Sequence, residues 1–165
     1  MDAQWFVLLA FFRKLILGMI GGFERIKRRL MMSLREEYFL SVQGSTDSEW
    51  AFAVYLNELA NLGCVPSEQK LGGFGHAVLR TALMNTIFTI NKLCKEEKQE
   101  EEPNIFNFAV TDGEAVVACR YISSRTEEAA SLFFRLVFLW ILVYEQFRVF
   151  FLSIRTWTFS NGETG

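Results

Sequence analysis

Asp112-Gly113 stands between two short apolar runs, 105–110 (IFNFAV) and 115–121 (AVVACRY). Asp-Gly is the dipeptide most typical of a tight β-turn, so the two runs read as strands of a β-hairpin. Upstream of it the apolar spacing changes from two residues to about 3.6. In 23–34 (FERIKRRLMMSL), Phe23, Ile26, Leu30 and Leu34 share one helical stripe, with Arg25, Lys27, Arg28 and Arg29 largely off it. Residues 38–43 read as a short extended piece, broken at Gly44. Thr46, followed three residues later by Glu49, forms a capping box for a helix that continues to about Gly63. Pro66 and Gly72-Gly73 mark a loop. A longer helix fits 77–98, where Val78, Leu79, Ala82, Leu83, Ile87, Ile90 and Cys94 keep one face. The tract 126–131 (TEEAAS) has the Thr and acidic first turn of a further helix. Helices and a hairpin in this order make an α+β domain.

A chain of 165 residues suits one compact domain. Its 17 Phe crowd the two ends, which therefore differ in character from the middle. A net charge of −2 gives no basic face, so a nucleic-acid partner is not expected. Three dispersed cysteines and one histidine, His76, offer neither a zinc-ligand spacing nor a disulfide framework, and reduced thiols are expected. Near the N-terminus, Asp2 precedes the apolar run 5–12 and Arg13-Lys14 follows it, the reverse of a secretory signal. The run 132–154 is a candidate membrane anchor. Its uninterrupted apolar core, 136–144, is shorter than the roughly 20 residues of a span, and Arg135, Glu145, Gln146 and Arg148 flank or break it.

Three segments, GGFERIKRRL (21–30), QGSTDSEWAFAVYL (43–56) and NFAVTDGEAVVACRYI (107–122), together resemble the class II, or N-terminal nucleophile, glutamine amidotransferases. More narrowly, they resemble the amidotransferase subunits of fungal Dug-type glutathione-degradation complexes. The resemblance covers 18–132. It implies an αββα sandwich that hydrolyses a γ-glutamyl amide in the cytoplasm without metal or cofactor, beside a peptidase partner subunit. In that family an N-terminal cysteine thiol attacks the carbonyl, its own α-amine is the base, and an Asn-Gly pair forms the oxyanion hole. The Asp of the TDSE segment holds the substrate's α-ammonium. Carried over by position, the ammonium role falls on Asp47, and the glycine of the oxyanion pair on Gly18.

The residues themselves leave alternatives open. A carboxylate at a helix start is favoured by the helix dipole and is the natural partner of an ammonium, yet Asp47 could equally serve only the first turn. Arg120 sits in a family-like strand position and is read as structural. Lys27–Arg29 and the acidic run 96–102 are read as solvated surface. His76 has no partner motif for a general base. Cys64 has no visible neighbour that would form its thiolate.

The departures from the family are specific. The chain begins Met1-Asp2, its first cysteine is Cys64, and the family's His-Asn-Gly reads Ile16-Leu17-Gly18. Leucine has no amide to donate to an oxyanion, and losing one such donor typically costs about 10²–10³ in rate. Residues 133–158 show neither helical period nor strand alternation; a turn signal returns in 159–165 (FSNGETG). The expectation is an incomplete sandwich at 18–132 between apolar, non-family segments at 1–17 and 133–165, with no catalytic residue and no hydrolysis. Translated intron or out-of-frame sequence at both ends would account for the pattern. The alternative is a small membrane-anchored or interaction protein that uses a degenerate domain for binding.

Overall fold

In a computed structural model, residues 14–66, 73–98, 102–127 and 148–153 are described. Their order is β1 (Lys14–Met19), α1 (Phe23–Ser33), α2 (Glu36–Ser41), α3 (Asp47–Asn61), α4 (His76–Glu96), β2 (Ile105–Thr111), β3 (Ala115–Ile122) and β4 (Arg148–Ser153). The strands form one sheet in the order β1-β2-β3-β4. The expected hairpin is there: β2 and β3 pair antiparallel from Ile105↔Ile122 to Thr111↔Val116. β1 adds antiparallel to the other edge of β2, and β4 runs parallel to β3.

Alternation along β2 sends Phe106, Phe108 and Val110 into the core, where Val117 and Cys119 of β3 join them. The helices cover this face. Leu79, Leu83 and Ile90 of α4 and Leu59 of α3 are fully buried in the same cluster. α3 is apolar nearly all round, and ten of its fifteen residues are buried, as a helix enclosed by other elements requires. Its start carries one half of the expected capping box: the Glu49 amide donates to Thr46 Oγ1 at 3.4 Å. The Glu49 carboxylate instead accepts from the Thr46 hydroxyl at 3.2 Å and lies over Gly44, where a Cβ would leave it no room.

Three expectations change. Residues 38–43 were expected to be extended, but Glu36–Ser41 is a helix. Glu36 and Glu37 occupy its positive first turn, and Tyr38 is buried while Phe39 tilts against Trp50 at 5.8 Å. A six-residue helix is too short for periodicity to reveal. In 133–158, read as lacking strand character, Arg148–Ser153 forms β4. A continuous apolar run is the usual signature of a parallel strand, so absent alternation was no argument against one. Finally, β1 crosses the boundary placed between Leu17 and Gly18, and Lys14 to Leu17 pair with β2 in the same ladder as Gly18.

The described residues contain one sheet; the second layer of an αββα sandwich is not among them. Most of 132–154 and of 126–131 also lies outside the described residues. No described helix is long and apolar enough to cross a membrane.

Candidate functional site

The chain leaves β1 at Met19 and enters α1 at Phe23 through a three-residue turn, Ile20-Gly21-Gly22. Each of the three backbone amides donates to a different side chain. Ile20 N–H reaches Asp47 Oδ2 at 3.0 Å, Gly21 N–H reaches Asn104 Oδ1 at 2.9 Å, and Gly22 N–H reaches Glu102 Oε2 at 3.2 Å. Gly21 is obligatory on steric grounds, because a Cβ there would lie 2.1 Å from the backbone oxygen of Glu102. Gly22 adopts φ +61, a left-handed conformation suited to glycine.

Asp47, the expected ammonium ligand, is the first residue of α3 and is half-buried. Its Oδ1 accepts from the Ser48 amide at 2.7 Å, and Oδ2 is the acceptor for Ile20. The carboxylate therefore ties the helix start to the end of β1. Gly18, the other expected binding residue, lies in β1 opposite Phe106, two residues before the amide that Asp47 holds. The fold thus brings the two expected binding positions to the same end of β1.

Asn104 was not singled out by sequence. It is 3 % exposed and donates from Nδ2 to Asn91 Oδ1 at 2.7 Å, while Asn91 Nδ2 donates to the Tyr121 hydroxyl at 2.8 Å. A cavity of about 690 Å³ opens beside this chain, lined in part by Asn91, Lys95, Asn104, Ser123 and Arg125; Asp47 does not line it. Asp112, read only as a turn residue, is 1 % exposed and accepts from four amides. Oδ1 takes those of Glu114 and Ala115 in its own turn, at 3.0 and 2.8 Å. Oδ2 takes those of Phe74 and Gly75 ahead of α4, at 2.7 and 3.2 Å. Burial, followed by the nearby Asp112 charge, raises the Tyr55 phenol pKa well above its usual value.

The remaining candidates are dispersed. Arg29 bridges Glu96 and Glu97 at 2.6 and 2.8 Å, tying α1 to the end of α4. Lys27 lies 3.7 Å from Glu24 and over the Phe23 ring. Arg120 faces Asn107 across the hairpin, and His76 is exposed at the first residue of α4. Among the described residues no group of three or more His, Cys, Asp or Glu could hold a metal ion.

All three cysteines are free thiols. Burial pushes the Cys119 pKa up to about 12 and also raises that of Cys94, the latter partly offset by its hydrogen bond with Asn104. Cys64 is half-buried, with Sγ 3.9 Å from the Leu62 carbonyl oxygen. Since the thiolate is the reactive form, iodoacetamide at pH 8 is expected to modify Cys64 alone. Cys94 and Cys119 should react only after denaturation, which peptide mass spectrometry can read.

No protein-family model matches this sequence. Over 120 residues, 71% of its length, the chain is 49% identical to "Probable glutamine amidotransferase DUG3" of Saccharomyces cerevisiae. A solved structure, a glutamine aminotransferase class-II domain protein from Silicibacter pomeroyi, superimposes with TM-score 0.52 and 26% identity, over 69% of this chain and 45% of that one. The chain spans about a third of the length of the yeast relative. Sequence and fold agree: over about two-thirds of its length the chain is similar to class II glutamine amidotransferase-like proteins.

Proposed function

We propose that the chain forms the glutamyl-binding wall of an amidotransferase domain, with Asp47 holding the α-ammonium of glutamine or another γ-glutamyl compound, and that it does not hydrolyse the amide. One observation carries this reading: the half-buried Asp47 carboxylate is fixed at the head of α3 by the Ile20 amide, next to the end of β1 that contains Gly18. A carboxylate has about four acceptor positions. The amides of Ile20 and Ser48 and, at 3.4 Å, the Ser48 hydroxyl use three, which leaves one for an ammonium, and a charge-assisted bond of that kind is among the stronger ones. Hydrolysis is not expected because Leu17 stands where the family has the oxyanion-hole asparagine. A link to glutathione catabolism, a peptidase partner subunit and a cytoplasmic location are what the family resemblance implies for this reading.

Calorimetric titration with glutamine and with glutathione, alongside an assay for released glutamate, tests the proposal. Binding without glutamate release is the expected result, and Asp47→Asn is expected to weaken binding by about 10- to 100-fold, the loss of one charged hydrogen bond. Release of glutamate that disappears in Cys64→Ala would overturn the non-hydrolytic part. Undiminished affinity in Asp47→Asn would overturn the binding part.

A further inference from the structure

We infer that Asn104 is a positioning residue for Asp47, acting through the Ile20-Gly21-Gly22 turn; this rests on the glutamyl-binding reading of Asp47 and adds to it. The turn joins two acceptors that never touch each other. Asp47 holds the amide of Ile20 and Asn104 holds that of Gly21. Because peptide units are planar, only the φ and ψ of Ile20 separate these two N–H groups. Fixing the Gly21 amide therefore leaves the Ile20 amide little freedom to leave Asp47, and the Asp47 carboxylate little freedom to rotate.

Asn104 is built for that task. Its side chain is buried, its Oδ1 is committed to Gly21, and its Nδ2 is committed to Asn91 and, at 3.4 Å, to Cys94 Sγ. Its backbone is also locked. Asn104 N–H donates to Ser123 Oγ at 2.9 Å, and Ser123 N–H donates to the Asn104 carbonyl at 3.0 Å. Position is thus passed from the α4–β3 framework to the turn, and from the turn to Asp47. Glu102, an exposed acceptor on the Gly22 amide, is the weaker third hold.

A merely structural Asn104 would lower global stability and change the site only in proportion. The test compares Asn104→Ala with Asn91→Ala, which removes another bond of the same chain and leaves the Gly21 acceptor in place. Native-state hydrogen exchange is read at the Ile20 amide, relative to the core amide of Leu83, together with the glutamine dissociation constant. In Asn104→Ala the Ile20 amide is expected to exchange roughly five- to tenfold faster relative to Leu83, the equivalent of about one hydrogen bond. Glutamine affinity should fall with it. Asn91→Ala should leave the ratio within about twofold. Asn104→Asp, which keeps an oxygen for Gly21, should retain most of the Ile20 protection and serves if the alanine variant does not fold. An unchanged Ile20 ratio in Asn104→Ala, or an equal change in Asn91→Ala, overturns the inference. If the wild-type chain does not bind glutamine, the reading of Asp47 as a ligand fails, while the exchange ratio still decides whether Asn104 holds Asp47's partner.

Discussion

Asp112→Ala is expected to lower the unfolding free energy by about 3–5 kcal/mol, the largest loss from any single polar side chain in the described structure. Its carboxylate accepts from four backbone amides, two in the β2–β3 turn and two ahead of α4. Removing it leaves those donors without their acceptor at a position only 1 % exposed. Each unsatisfied buried donor costs about 1–3 kcal/mol, and local relaxation with entry of water recovers part of the sum. The effect should also be non-local, because the β2–β3 turn and the start of α4 are 37 residues apart and share this one group. Asn at the same position keeps one acceptor oxygen and turns a donor toward the other pair, so roughly half the loss is expected. Urea denaturation measures both variants. A loss below about 1 kcal/mol for Asp112→Ala would show that the hairpin and α4 are joined by something else.

Gly21→Ala is expected to cost about 2–3 kcal/mol, a large effect for one methyl group. The new Cβ would lie 2.1 Å from the Glu102 oxygen and 2.7 Å from its carbonyl carbon, and both atoms belong to the backbone. No rotamer change can relieve that contact. Either the segment entering β2 or the turn must move, and movement of the turn pulls on the Gly21–Asn104 and Ile20–Asp47 bonds together. Gly63→Ala is the useful comparison. Gly63 has φ +79 but open space around it, so only the left-handed backbone penalty of about 1–2 kcal/mol applies. Thermal unfolding of both variants should rank Gly21→Ala as the more damaging. The reverse order would mean that the close approach to Glu102 is not rigid.

Local signals carried much of the fold. Thr46 marks the start of α3 within one residue because a cap is a short-range hydrogen bond. Asp112-Gly113 marks the hairpin because the turn's backbone demand falls on Gly113 at φ +93. Helix α2 was missed because Tyr38, Phe39 and Leu40 have strand-like composition, and one and a half turns are too few to display a helical period. β4 was missed because its register is supplied by β3, not by alternation in its own residues. The site was legible as residues and not as connections. Asp47 and Gly18 could be named from the family resemblance. That Ile20, 27 residues before Asp47, supplies the amide that holds it depends on how β1 and α3 meet. Asn104 carries no motif at all, and its role exists only because it faces Gly21 across 83 residues of sequence.

The recognition of an α-ammonium by Asp47 is tested most directly by titrating the ¹⁵N-labelled chain with L-glutamine and with its analogue lacking the α-amino group. L-glutamine is expected to shift the amides of Ile20 and Ser48, the two backbone amides bonded to the Asp47 carboxylate. The analogue should leave both near their free positions, and Asp47→Asn should abolish the difference between the two ligands. Equal shifts from both ligands, or shifts that persist in Asp47→Asn, would contradict it.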